Sequence, residues 1–286
     1  VSAKTKSISN LEKILAVFSD FNLKKNSIVT VIGGGTLQDI AATACCLYFR
    51  GIKWIFIPTT ALAQGDSCIG SKTSIDGYKN KNQYGVFYPP SLILSCKEFL
   101  DSLPRLEIYS GIGDILHYLA PYKISEEFIE KIIKNINNKN LLIQYCHDLS
   151  SKAMSIKADL VEIDEFDQSS RGIFNFGHTF GHALEKSTTK YLPHGIAVLM
   201  GIYVALNQSD LSETNQFIFN QKKSINDLLN IIFLDSKLNN LSFSLKKISE
   251  NLKKDKKNKT LNNINCIVPS SLKNSEWICK KFEPSY

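Results

Sequence analysis

Histidine and methionine are scarce in this chain of 286 residues, which has five of the first and two of the second. No apolar run approaches the roughly 18 residues that a membrane-crossing helix needs, so no membrane partner is expected. No charged-then-apolar leader opens the sequence. The seven cysteines, at positions 45, 46, 68, 96, 146, 266 and 279, are scattered and odd in number. That speaks against a disulfide framework and against a zinc knuckle, and a cytoplasmic protein with reduced core thiols is expected. The net charge is +7, much of it on C-terminal lysines that have no aromatic residues interleaved. This pattern excludes a nucleic-acid stripe and suits a solvated surface or anionic small molecules. No internal repeat is visible. The length suits one large or two ordinary domains.

Taken in order, apolar residues Ile8, Leu11, Ile14, Leu15 and Phe18 recur at helical spacing over 8–22. A β-branched run, Ser27 to Ile32, then ends in Gly33-Gly34-Gly35, after which Thr36 can cap a helix through Asp39 to Phe49. Strand, glycine turn and helix can lay backbone N–H groups against a phosphate, although a glycine triplet is also simply a tight turn. A second strand, Trp54 to Pro58, ends with the hydroxyls of Thr59 and Thr60, at the sheet edge where ligands bind in doubly wound folds. Residues 66–90 carry Asp66, Lys72, Lys81 and Asn82 among glycines and turn residues, and read as a loop for anionic groups or as a solvated hairpin. After a third strand from Leu92 to Ser95, Pro104 marks an expected boundary between domains 1–104 and 105–286.

The second part reads as mostly helical, with helices at 110–119, 125–136, 139–163, 171–188, 194–206, 210–219 and 224–232. Three of the five histidines, His178, His182 and His194, fall between Arg171 and Gly201. At i and i+4, His178 and His182 share one helix face, and Asn175 and Arg171 would lie one and two turns earlier on the same side. Gly177 and Gly181 would let this helix approach the one that opens at His194-Gly195. Asp114 and His117, at i and i+3, either supply a site or form an exposed surface pair. Three imidazoles, an amide and a guanidinium on facing surfaces need partners, which either a divalent metal with a polyanion provides or, for a pair of core histidines with a coincidental third, hydrogen bonds. His147 has no companions and reads as structural or surface.

The order Gly33-Gly-Gly-Thr-Leu-Gln-Asp39, Arg50-Gly51, Pro58-Thr-Thr60, Asp66-Ser-x-x-Gly-Ser-Lys72, Lys81-Asn82 and Phe87-Tyr-x-Pro continues into Asn175-x-Gly-His-x-x-Gly-His182, His194-Gly195 and Asp255-Lys-Lys257. With these motifs the sequence resembles the 3-dehydroquinate synthase family of sugar phosphate cyclases over essentially its whole length. The resemblance implies an α/β Rossmann-like NAD domain joined to an all-α metal-binding domain, with the active site in the cleft between them. It implies an NAD-dependent cyclisation of a sugar phosphate without net redox, the prototype substrate being 3-deoxy-arabino-heptulosonate 7-phosphate.

On this resemblance, zinc or cobalt would be held by Asp114, His178 and His194. NAD would lie against Lys4, Gly33, Gly34, Gly35, Asp39, Thr59, Thr60, Asp66, Lys72 and Lys81. Arg50, Lys72, Asn82, Lys157, Arg171, Asn175, His182 and Lys256 would bind substrate, Arg50 reaching into a partner's site, which implies a homodimer. Asp66, Lys72, His117, Lys157, Arg171, Asn175 and His182 would carry the chemistry.

The chain departs from the family pattern at several positions. Asp114 stands for a glutamate and His117 for a lysine, while Ser71 and Asp76 replace a glycine and an asparagine, and Ile196 replaces a glutamate. A β-rich segment that usually precedes the position of Val1 is expected to be absent, exposing a sheet edge. Three readings stay open: a cyclase acting on the prototype substrate or on another heptulose phosphate such as sedoheptulose 7-phosphate, a metal- and NAD-dependent alcohol dehydrogenase, and a degenerate paralogue without activity.

Overall fold

The structure is a computed structural model that describes residues 5–78, 81–120, 125–168, 170–209, 215–254, 264–273 and 276–279. Lys4 and Lys256, both expected at the site, lie outside the described residues.

The first part is layered α/β. Helix α1 (Ile8–Asp20) is capped by Ser7, whose Oγ accepts from the Asn10 amide. Strand β1 (Ile28–Gly33) runs parallel to β2 (Lys53–Pro58), with Gly33 opposite Pro58, and β2 runs parallel to the short β5 (Leu92–Ile93). Helix α2 (Gly35–Leu47) crosses between β1 and β2 and buries Ile40, Ala41, Ala42, Ala44 and Cys45 against Trp54 and Phe56. The stretch read as a loop for anionic groups or as a solvated hairpin contains the hairpin β3 (Lys72–Ile75) and β4 (Tyr84–Phe87). The hairpin survives its polar composition because its inward residues are anchored on α2: the Thr43 and Thr73 hydroxyls are 2.6 Å apart and Thr73 Oγ1 donates to the Asp39 carbonyl.

From Arg105 the chain is mostly helical: α3 (Arg105–Leu119), α4 (Ser125–Lys134), α5 (Lys139–Ile163), α6 (His178–Glu185), α7 (His194–Asn207), α8 (Gln216–Ser236) and α9 (Leu245–Lys253), then a two-stranded ribbon of β6 (Pro269–Lys273) and β7 (Glu276–Cys279). Every residue of α3 from Ile108 to Leu119 is buried. It therefore runs through the middle of the helical core, and Asp114 and His117 are not a surface pair.

Two expected helices differ. The continuous helix over 171–188 is broken: residues 170–175 form a 3₁₀ turn, Gly177 takes φ +78°, and α6 starts at His178. The cause is the close approach of α7. A Cβ on Gly177 would lie 2.8 Å from the Val198 carbonyl oxygen, and one on Gly181 would lie 2.8 Å from that of Ala197. The expected helices 210–219 and 224–232 are one, α8, capped by the Asn215 side chain.

Candidate active site

Asp114 is the hub. Its carboxylate is 1% exposed, and Oδ1 has no hydrogen-bond partner. Around Oδ1 stand His178 Nε2 at 3.5 Å, His194 Nε2 at 3.7 Å and His117 Nδ1 at 3.9 Å. The expected trio Asp114, His178 and His194 is thus brought together from the middle of α3 and the first residues of α6 and α7. His182 adjoins it, its ring stacked on that of His194 with centroids 5.4 Å apart.

The imidazoles are turned by hydrogen bonds at their far nitrogens. His178 Nδ1 faces the Phe176 carbonyl at 3.3 Å, and His194 Nδ1 faces Glu185 Oε2 at 3.0 Å. If each Nδ1 is the donor and the ring is neutral, each Nε2 turns a lone pair toward Asp114, which a cation between them would satisfy; with no cation bound, a protonated His194 faces the carboxylate instead. Two donors each about 2.0–2.2 Å from one cation at tetrahedral angles stand roughly 3.3–3.6 Å apart, close to the 3.5 and 3.7 Å seen. The Asp114–His178 and Asp114–His194 spacings therefore suit a divalent cation, while His178 and His194 stand farther from each other, with ring centroids 5.6 Å apart.

The electrostatics agree. Burial on its own pushes the His194 imidazole down, but the Glu185 hydrogen bond and the Asp114 charge outweigh it and carry the group up to about 9. The pocket thus attracts positive charge. His117 goes the other way: burial, and then the neighbouring His178, push it down to about 3, so it is a neutral donor.

Beside this centre lies Asp66, in a single π-type turn after β2 (Ala63–Ser67). Lys157 on α5 reaches it with Nζ 2.5 Å from Oδ1 and 2.7 Å from the backbone oxygen, and the buried Tyr118 hydroxyl also donates to Oδ1. Burial alone would raise the Asp66 carboxyl; the Lys157 ammonium, aided by the two hydrogen bonds, holds it well below the usual carboxylate range. Gly65 permits this arrangement, since a Cβ there would come within 2.2 Å of the Ile115 side chain on α3.

Two cavities meet at Asp66. The smaller, about 190 Å³, is lined by His117, Tyr118, His178, Asn175, Lys157 and Arg171, among others. The larger, about 490 Å³, opens toward α2 and the hairpin and includes Gln38, Asp39, Ser67, Thr73 and Asn82. Lys72, Lys157 and Arg171 line both. Arg171 is 6% exposed and anchored by Nη1 to the Glu165 carbonyl at 2.8 Å, while its Nε is buried without a partner. Lys72 is paired with Asp167.

The glycine turn fits a dinucleotide phosphate. No side chain caps the N-terminus of α2, so Thr36 does not cap it as expected; the cap position is Gly34. A Cβ on Gly34 would lie 2.9 Å from the Thr60 methyl group, and the Thr59 amide donates to the Gly33 carbonyl at 2.9 Å. An open helix N-terminus and two threonines at the carboxyl edge of parallel strands are what a phosphate needs.

Other expected residues stand elsewhere or are already engaged. Arg50 is exposed in the turn after α2, at φ +59°, and lines neither cavity; Lys81 is exposed and also lines neither. Asp39 borders the larger cavity, but its carboxylate is engaged with Lys6 and with the Ser74 amide of the hairpin. Lys6 also donates to Asn82 Oδ1 at 2.5 Å.

Sequence reasoning missed Tyr118, Glu185 and Lys6. Glu185 could have been found, since it follows His178 and His182 at i+7 and i+3 on one helix face. Tyr118 sits beside a residue already singled out, and only the fold turns its hydroxyl toward Asp66.

The chain matches known families across both halves. Residues 2–110 match the model described as 3-dehydroquinate synthase N-terminal, and residues 119–258 the one described as 3-dehydroquinate synthase C-terminal. It is 35% identical over 262 residues to the 3-dehydroquinate synthase of Alkaliphilus metalliredigens, covering 89% of this chain and 70% of that protein. It is 37% identical over 268 residues to that of Pelagibacter ubique, covering 91% and 71%. Among solved structures, a 2-deoxy-scyllo-inosose synthase complexed with carbaglucose-6-phosphate, NAD+ and Co2+ is similar with a TM-score of 0.79 at 21% identity, over 99% of this chain and 78% of that one. With both domain models matched in order and the histidine constellation in place, the chain belongs to the 3-dehydroquinate synthase family.

Proposed function

We propose that this lyase-type enzyme is an NAD- and metal-dependent sugar phosphate cyclase that converts 3-deoxy-arabino-heptulosonate 7-phosphate to 3-dehydroquinate with elimination of phosphate. The observation that carries the reading is the buried, unpartnered Asp114 Oδ1 facing two imidazole Nε2 atoms within 3.7 Å, at the end of a cleft lined by Lys72, Lys157 and Arg171.

Asp114, His178 and His194 would hold zinc or cobalt, and the glycine turn with Thr59 and Thr60 would hold NAD. When bound, the cation lowers the pKa of a coordinated hydroxyl and the nicotinamide takes up and returns a hydride.

The chain's own residues bind and orient. Lys72, Lys157 and Arg171 offer charged donors to the carboxylate and phosphate of the substrate, and Arg171 does so pre-ordered because Nη1 is already fixed. Asn175 and Asn82 add neutral donors at either end of the cleft. Asp66 is a poor proton acceptor, since its carboxyl lies well below the usual range. Its part is to hold the Lys157 ammonium and the Tyr118 hydroxyl in place between the two cavities. His182, stacked on His194, would be the group that moves a proton.

The test is phosphate release from 3-deoxy-arabino-heptulosonate 7-phosphate, with NAD and Co2+ or Zn2+ supplied or withheld. Release that needs both, with no net NADH, is expected. Net NADH from a simple alcohol would overturn the reading in favour of a dehydrogenase. Release only from sedoheptulose 7-phosphate would replace the substrate.

A further inference from the structure

We propose that His117 is a fourth protein ligand of the cation, so that the centre is three imidazoles and one carboxylate; this rests on the metal-dependent reading above. Among the described residues, Asp114, His117 and His178 each offer a ligand atom within 4.8 Å of the other two, a ring nitrogen in the case of each histidine. The His117 ring meets that of His178 edge to face at 4.6 Å, on α3 one turn beyond Asp114.

His117 has no other employment. It is 2% exposed, its Nδ1 faces the Asp114 carbonyl of its own helix, and its Nε2 is buried without a hydrogen-bond partner. With Nδ1–H given to that carbonyl, Nε2 keeps its lone pair, as in imidazoles fixed for ligation. An orphaned buried acceptor is costly, and a cation shared with Asp114 Oδ1, which also has no hydrogen-bond partner, removes that cost at both atoms. Ring packing on Tyr118 at 3.8 Å and on Phe174 at 6.4 Å leaves no other polar atom to satisfy it.

A nitrogen-rich set should favour cobalt and zinc over manganese and magnesium, which take oxygen donors more readily.

The experiment titrates Co2+ into the chelator-treated full chain, reading the visible absorption of the ion and its affinity against a competing chelator. Wild type, His117→Phe, His178→Ala and Asp114→Ala are compared, phenylalanine being chosen to keep the ring volume among Tyr118 and Phe174. His117→Phe should weaken Co2+ by about tenfold or more, change the absorption band and reduce the preference for Co2+ over Mn2+. Equal affinity and an unchanged band would overturn the fourth ligand while leaving the other three standing. Undiminished binding in His178→Ala and Asp114→Ala, or no binding in the wild type, would overturn the metal reading itself and this inference with it. Should His117→Phe not fold, the wild type decides: its Co2+ form should show three hyperfine-shifted imidazole N–H proton resonances, and two would refute the proposal.

Discussion

His194 Nδ1 lies 3.0 Å from Glu185 Oε2, from the start of α7 to the last residue of α6. That contact turns His194 Nε2 toward Asp114, 3.7 Å away. A carboxylate behind a ligating imidazole orients the ring and raises its basicity. Glu185→Ala should therefore weaken zinc binding by about 10- to 100-fold, and Glu185→Gln, which can still accept the N–H, should recover much of that. Zinc titration against a competing chelator measures it; an unchanged affinity in Glu185→Ala would show that the contact is incidental.

The ligand assignment separates the histidines. His178→Ala and His194→Ala should each lose metal and activity together, because their Nε2 atoms face the same carboxylate oxygen. His147, on α5, lines neither cavity, and His147→Ala should retain both. Elemental analysis of the purified variants decides: normal metal content in His194→Ala refutes the assignment.

The α3–α7 crossing that presents Asp114 to His194 depends on one missing methyl group. A Cβ on Gly195 would stand 1.6 Å from the Ser110 carbonyl oxygen and 2.8 Å from the Asp114 amide. Both neighbours are helix backbone and cannot yield. Overpacking typically costs about 1–3 kcal/mol, occasionally more, and Gly195→Ala should reach or exceed the top of that range in urea unfolding, with metal affinity reduced as well. A variant as stable as the wild type would mean that the helices are farther apart than described.

The Asp66–Lys157 pair makes stability depend on pH with a definite sign. The folded Asp66 carboxyl lies below its unfolded value of about 3.9. Its contribution is therefore complete above about pH 4 and is lost as the pH falls through the depressed folded value. Lys157→Met leaves the carboxylate partly buried without its cation, and should cost about 3 kcal/mol at pH 7, the low end for breaking a buried pair. In the variant burial is opposed only by His117 and Tyr118, so the carboxyl rises and the difference between the two proteins should shrink below pH 4. Urea unfolding at pH 7 and pH 3.5 checks this; a difference that stays constant argues against the pair.

The cysteines differ in reactivity. Cys45, Cys68 and Cys146 are buried, and burial pushes each thiol up to about 12. Cys96 is exposed. Iodoacetamide at pH 8 should alkylate Cys96 first and leave the other three intact until the protein is unfolded, as read by peptide mass spectrometry.

Much of the site could be read from spacing. Strand, glycine triplet and helix, the threonines after β2, and the clustering of His178, His182 and His194 each follow from short-range chemistry: a tight turn has few solutions, and residues four apart on a helix share a face. For the polar stretch over 66–90 the sequence left loop and hairpin open. Its hairpin is held by Thr43, Asp39 and Lys6, contacts about 30 residues or more away in sequence, and local polarity carries no trace of them. The helix over 171–188 failed for a related reason: Gly177 bends the chain because α7 presses on it, and propensity within the segment does not include that neighbour.

Residue identity and spacing, which are local properties of the chain, pointed to Asp114, His178 and His194 as candidate donors and to the family. The tertiary structure alone decided that α3 runs through the core, so that Asp114 and His117 are buried with unpartnered polar atoms. It alone turned Glu185 onto His194 and Lys157 onto Asp66. Those arrangements depend on which helices cross, and helix crossings are set by close backbone approach at Gly177, Gly181 and Gly195, where the fit of facing surfaces decides the geometry.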